Sequence, residues 1–198
     1  QSYAFRGHPV YVLNDSHTGE LLSVIFGEID DKTLGYTSLM ALRTAATSGV
    51  GFRYLPRKDA KTVGLFGSGG QAANQLLALT CERDIQTVKI YSRDPDNRRN
   101  FADKYGPQFG VDITPVETPR EAVEGHDVVI CATNTNVELF DGDWLSPGQH
   151  VTGIIGSNIQ LVKGGFLNKR RREIDNRTAE RADVIVANLR DSVVTEEQ

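Results

Sequence analysis

The residues best suited to chemistry lie in Thr62-Val-Gly-Leu-Phe-Gly-Ser-Gly-Gly-Gln-Ala72, where a short apolar strand runs directly into G-x-G-x-x-A and then into a helix. In this pattern Gly67 turns the chain off the strand, Gly69 clears space for backbone N–H groups to approach a pyrophosphate, and Ala72 permits close helix-on-strand packing. Ser68, Gly70 and Gln71 complete the loop. The helix expected from about Gln71 to Arg83 directs the positive end of its dipole at the phosphates. A glycine turn alone is weak evidence, but Thr87 to Tyr91 reads as the next strand at the spacing of a βαβ unit. The pattern predicts a dinucleotide site.

Which dinucleotide is bound depends on the end of that second strand, Tyr91-Ser-Arg-Asp94. An acidic residue there accepts hydrogen bonds from both ribose hydroxyls of NAD, whereas an arginine favours the 2′-phosphate of NADP. Ser92 stands where the acid is expected, and Arg93 offers a charge-assisted bond to a phosphate. Asp94 pulls the other way unless the turn begun by Pro95 aims it aside. The expectation is NADP(H) over NAD(H).

Ligands of open α/β sheets lie beyond the carboxyl ends of the strands. Two loops at such ends, Ala132-Thr133-Asn134-Thr135-Asn136 and Gly156-Ser157-Asn158, carry small hydrogen-bonding side chains suited to ribose and nicotinamide amide. Arg43 is a charged residue among Ala, Leu and Thr, and its fork matches a carboxylate bidentately. Plain solvent exposure is the competing reading. Thr44, beside it, is counted with the cofactor contacts. No metal site is expected, because His8, His17, His126 and His150 are scattered and Cys81 and Cys131 lie far apart. His126 reads as a surface or capping residue, and Cys131 as a small core residue.

The elements that must position these groups form an α/β fold, a Rossmann-type doubly wound sheet with part of a second, β-rich lobe. Strands are expected at Thr62 to Phe66, Thr87 to Tyr91, Asp127 to Ala132, His150 to Ile155 and Asp183 to Ala187, with helices at Asn97 to Tyr105 and Pro119 to Glu124. Ahead of them, His8 to Asn14 and Glu20 to Phe26 read as a hairpin closed by Asp15-Ser-His-Thr-Gly19. A helix capped by Thr37 or Ser38 then runs to about Leu55, with Ala41, Ala45, Ser48 and Phe52 along one face. The expected division is 1–36 in a substrate and dimerisation lobe, 37–60 as connecting helix, 61–190 as nucleotide domain and 191–198 returning to the lobe. Ile159 to Lys169 is long and glycine-rich for a strand-to-helix turn, the mark of a functional or mobile loop.

Composition narrows the function. A net charge of −4, with Lys169-Arg-Arg-Arg172 as the single basic run, argues against nucleic acid as a partner. That run reads as a solvated helix start or an anion contact. No apolar segment is long enough to span a membrane, and two cysteines build no disulfide framework, so a cytoplasmic setting is expected. A chain that starts with Gln and opens almost at once on a strand reads as a piece of something longer.

Taken in order, Ala41-Leu-Arg-Thr-Ala-Ala-Thr-Ser48, Gly67-Ser-Gly-Gly-Gln-Ala72, Tyr91-Ser-Arg-Asp94 and Asp141-Gly-Asp-Trp-Leu-Ser-Pro-Gly-Gln-His-Val151 resemble the ornithine cyclodeaminase and mu-crystallin family. The resemblance implies a homodimer that handles a small α-amino or α-imino acid with a nicotinamide cofactor. It implies that Arg43 holds the substrate carboxylate and that Ser92 and Arg93 receive the 2′-phosphate. Asn158 departs from the family, since the cyclodeaminases carry an aspartate there. An amide is no general base, so reduction of a C=N bond is favoured over deamination with cyclisation. The alternatives are a cyclodeaminase recycling bound NAD and a non-catalytic, crystallin-like NADPH binder. The family's lysine lies ahead of residue 1, and the stretch around 159–169 reads as an insertion.

Overall fold

The computed structural model describes residues 10–26, 38–155, 159–168 and 171–188. Two strands, β1 (Val10–Asn14) and β2 (Leu21–Phe26), form an antiparallel hairpin with Val12 opposite Val24. Asp15 closes the turn, its carboxylate accepting the His17 and Thr18 N–H groups at 2.8 and 2.7 Å. Helix α1 (Leu39–Tyr54) follows, capped by Ser38, whose Oγ accepts the Ala41 N–H at 3.2 Å; the alternative cap, Thr37, lies outside the described residues. Ala41, Ala45 and Phe52 are buried along one face, and Ser48 is half-buried.

The remaining elements build one parallel sheet. In chain order they are β3 (Thr62–Phe66), α2 (Gly70–Glu82), β4 (Thr87–Tyr91), α3 (Pro95–Phe109), β5 (Asp112–Pro115), β6 (Val128–Cys131), β7 (His150–Gly153), α4 (Ile159–Lys163) and α5 (Asn176–Arg181). The spatial order is β5-β4-β3-β6-β7, every pair parallel. The chain therefore starts at the centre, winds out to one edge, and returns to continue toward the other. That reversal puts the switch point between β3 and β6, at Phe66 and Cys131.

Alternation along the strands divides the core. Val63, Leu65, Val88, Ile90, Val128 and Ile130 pack with Ala72, Leu76 and Leu79 of α2 and Phe101 and Tyr105 of α3, while Phe66, Val129 and Cys131 meet Ala122, Val123 and Phe140 on the other face. A Cβ on Gly64 would lie 1.6 Å from the Ala122 carbonyl oxygen. That second face is pressed against backbone, and residues 120–122 there form one tight 3₁₀ turn instead of the helix expected over Pro119 to Glu124.

Helix α1 packs on α2 in parallel. Arg53 Nε and Nη2 donate to the two Glu82 carboxylate oxygens at 3.0 and 2.8 Å, and a Cβ on Gly49 would sit 3.8 Å from Ala78 Cβ. Both pairs share an offset of 29 residues, which carried back two turns sets Ala45 beside Asn74 and Ala41 beside Gly70. The two helices thus begin at the same end.

Several expectations are corrected. Asp183 to Ala187 is no strand, and Val184, Ile185 and Val186 are exposed. Strand β5 was not expected; a four-residue edge strand with one buried apolar residue, Ile113, ending at Pro115 carries too little pattern. Helix α3 extends past Tyr105 and tolerates Pro107. His126 is only 7% exposed, so it is not a surface residue. Within the awkward 159–169 stretch, Ile159–Lys163 is helical. Among the described residues no helix is long and apolar enough to cross a membrane.

Candidate functional site

The glycine loop lies at the switch point. Gly67 has φ of +104°, a conformation L side chains avoid, and its N–H donates to the Tyr91 carbonyl at 2.9 Å. Gly69 is the N-cap of α2, with an extended backbone and no side-chain cap, and a Cβ there would meet nothing within 4 Å. The first N–H groups of α2 are therefore uncapped donors facing an open cradle, and no acidic residue occupies the first turn. Gln71 Oε1 is buried beside them without a hydrogen-bond partner, Ser68 is half-buried, and Gly70 is exposed. Ala72 is fully buried against the sheet. An open cradle and uncapped N–H donors together fit a pyrophosphate.

At the end of β4, Ser92 Oγ donates to the Asp94 carbonyl at 3.1 Å. The Asp94 carboxylate accepts the Asp96 and Asn97 N–H groups at 2.8 and 3.2 Å, capping α3. Its charge is turned into the helix, as the Pro95 turn suggests. Arg93 is exposed. Arg98, which sequence reasoning missed, is 3% exposed and braces this loop from beneath. Its guanidinium lies 5.5 Å from the Tyr91 ring centroid and donates to the Ser92 carbonyl at 3.3 Å and to Glu117 at 2.8 Å.

Beyond β6, Ala132 is buried, Thr133 half-buried and Asn134 exposed. Glu173, also missed, joins this loop to the next. Only 1% exposed, it accepts the Thr133 N–H and Oγ1–H at 2.6 and 2.7 Å through Oε1 and the Ile155 N–H at 3.2 Å through Oε2. Nothing in the sequence singled it out, because it follows the basic run and reads as part of a solvated segment. Gly156, Ser157 and Asn158 lie outside the described residues.

Arg43 is exposed on α1. The α1–α2 offset sets its backbone at the level of the first turn of α2, on the exposed face of α1 and not on the Ala41–Ala45 face that is buried. Thr44 Oγ1 donates to the Met40 carbonyl at 3.1 Å, and its side chain is half-buried. Burial and the neighbouring Glu173 charge push the Cys131 thiol well up, which makes it inert. A groove of about 450 Å³ between α3 and β5, lined by Ala102, Gly106, Pro107 and Ile113, includes none of these residues. Among the described residues no cluster of His, Cys, Asp and Glu is set to hold a metal.

A five-stranded parallel sheet with a glycine loop at its switch point defines a doubly wound, Rossmann-like α/β fold. The profile of the ornithine cyclodeaminase/mu-crystallin family matches residues 6–190, and the chain belongs to that family. It is 32% identical over 166 residues to an ornithine cyclodeaminase of Agrobacterium fabrum, covering 78% of this chain and 46% of that protein. Among solved structures, the Thermococcus litoralis Δ1-pyrroline-2-carboxylate reductase in complex with NADH and L-proline superposes with a TM-score of 0.70 at 32% identity, over 86% of this chain and 47% of that one. The iminosuccinate reductase of Paracoccus denitrificans in complex with NAD+ gives 0.68 at 25% identity, over 89% and 48%. The chain spans about half the length of these relatives.

Proposed function

We propose that the complete protein is an NAD(P)H-dependent reductase of the C=N bond of a small imino acid, the reverse reaction being amino-acid oxidation. The observation that carries this reading is the shared end of α1 and α2, which sets Arg43 level with the uncapped donors after Gly69. The bound cofactor supplies the hydride. Gly67 to Ala72 receive its pyrophosphate, and Thr44, Ala132, Thr133 and Asn134 line its course. Ser92, Arg93 and Asp94 border the adenosine ribose, and Gly156 and Ser157, which follow β7 in sequence, serve the ribose and nicotinamide amide. Arg43 clamps the substrate carboxylate and so orients the C=N carbon. Asn158 holds the substrate nitrogen or the nicotinamide amide; as an amide it positions and does not abstract a proton. The working unit is a homodimer whose second lobe includes residues 1–36, with 37–60 as the connecting helix, 61–190 as the nucleotide domain and 191–198 leading back.

NADP(H) is supported by the exposed Arg93 and by the commitment of the Asp94 carboxylate to the α3 cap. The two solved relatives carry NADH and NAD+, so cofactor preference is itself a test. The full-length protein, mixed with NADPH or NADH and offered cyclic imino acids or 2-oxo acids with ammonium or methylamine, should oxidise the cofactor. Ammonia release from ornithine without net nucleotide turnover would instead identify a cyclodeaminase, the reading that the Agrobacterium relative favours. Stable NADPH binding without turnover of any imine would identify a non-catalytic binder.

A further inference from the structure

We infer that Glu173 is a positioning residue that fixes how the nicotinamide end of the cofactor is held, an inference resting on the nucleotide-site reading above. The ladder between β6 and β7 ends with the Ile154 N–H donating to the Cys131 carbonyl at 3.3 Å. Past that point neighbouring strands would continue to pair or splay into solvent. Here the next free N–H on each side, from Thr133 and from Ile155, turns to one buried carboxylate. A carboxylate suits this task because it presents only acceptors, whereas an amide would set a donor against one N–H. Its two oxygens hold the exit loops apart at a fixed separation, which keeps a crevice open at the carboxyl ends of the strands.

Three further contacts show that Glu173 is itself held. Its carbonyl accepts the Leu139 N–H at 2.9 Å, anchoring it to the chain beyond β6. The Thr133 hydroxyl donates to Oε1 at 2.7 Å and accepts the Thr135 N–H at 3.2 Å, so the carboxylate organises the following turn as well. Gly153 makes room, since a Cβ there would stand 2.8 Å from Ile174 Cδ1 and 3.9 Å from Glu173 Oε2. One side chain thus sets the Ala132 to Asn134 loop and the chain leaving β7 at Ile155. The adenosine half of the cofactor, at the β3 and β4 ends, is untouched by it.

That asymmetry gives the test, made on the full-length protein. Dissociation constants of NADH and of ADP-ribose are measured for the wild type and for Glu173→Gln, Glu173→Asp, Thr133→Val and Thr133→Ser. Glu173→Gln should weaken NADH about tenfold, the worth of one charge-assisted hydrogen bond, with ADP-ribose unchanged. kcat should fall with it while the KM for the imino acid holds. Thr133→Val should shift the NADH to ADP-ribose ratio in the same direction and Thr133→Ser should restore it. Because Thr133 also lines the cofactor's course, Glu173→Asp, which keeps the charge but is one methylene too short to reach both N–H groups, decides the matter if Glu173→Gln does not fold. The inference is overturned if the variants lower Tm but leave the ratio and kcat alone, or if they weaken both ligands equally. Failure of the underlying reading shows separately, as a wild type that binds neither NADH nor ADP-ribose, and that result also removes the role for Glu173.

Discussion

Gly67 and Ala132 meet across the switch point so closely that a Cβ on the glycine would lie 2.2 Å from the alanine carbonyl oxygen. Two glycines of one motif therefore serve different ends. Gly67 is demanded by the fold, by both its positive φ and this contact, whereas Gly69 has open space around it and a backbone conformation any residue adopts. Gly67→Ala should cost about 3 kcal/mol or more. Gly69→Ala should melt within a few degrees of the wild type yet bind NADH at least about tenfold more weakly, because the new methyl group blocks approach of the phosphate to backbone N–H groups. Paired thermal melts and nucleotide titrations check both outcomes. Unimpaired binding by Gly69→Ala would remove the pyrophosphate assignment.

Gly64 offers a control without functional content. It sits in the centre of β3, where a Cβ would run into the Ala122 carbonyl. Gly64→Ala should destabilise by about 3 kcal/mol or more, through displacement of backbone that has nowhere to go. Denaturant unfolding measures this. A stability equal to wild type would mean that the 3₁₀ turn over β3 yields readily.

The glycine loop, α1, α2, β3 and β4 were all legible in the sequence, since each rests on local pattern: a period of 3.6, an apolar run, or a glycine with one steric task. Glu173 was not. Its importance comes from two N–H groups far away in the chain, and its neighbours Arg172 and Asp175 look like surface residues. Val184 to Val186 misled in the opposite sense, since an apolar β-branched run reads as a strand whether or not a neighbouring edge pairs with it. His126 was misjudged because a polar residue flanking a strand is ordinarily solvated, and here the chain around it covers the ring.

Arg43→Ala in the full-length protein should reduce kcat/KM for the imino acid roughly 10- to 100-fold, the worth of a charge-assisted carboxylate contact. Nucleotide affinity should hold, because the uncapped donors of α2 remain. Steady-state kinetics alongside NADH titration separate the two effects. Equal loss of both would show that Arg43 binds the cofactor and not the carboxylate.

Acid should weaken the fold through His150. Burial, aided by the Arg83 charge, lowers its pKa to about 4, while its ring packs edge-on against Phe52 and Nε2 bonds with Thr152 Oγ1 at 2.7 Å. The folded value lies below the unfolded one of roughly 6.5, so the unfolded chain takes up the proton first. Stability is therefore complete above about pH 6.5 and is lost as pH falls toward about 4, by up to about 3 kcal/mol. His126 is shifted in the same direction, chiefly by burial. Urea titrations at about pH 7 and pH 4.5 should show a shallower loss for His150→Leu than for the wild type, and equal slopes would refute the assignment.

The pairing of Arg53 with Glu82, and the close approach of Gly49 to Ala78, make α1 and α2 a single stiff bracket. Densely packed contacts transmit displacement instead of absorbing it. On the proposed reading, Arg43 is therefore already stationed when a nucleotide seats on Gly70, since the two helices move as one body. The kinetic signature of such a bracket would be independence: the acid's carboxylate would be gripped equally well with the cofactor site filled or empty.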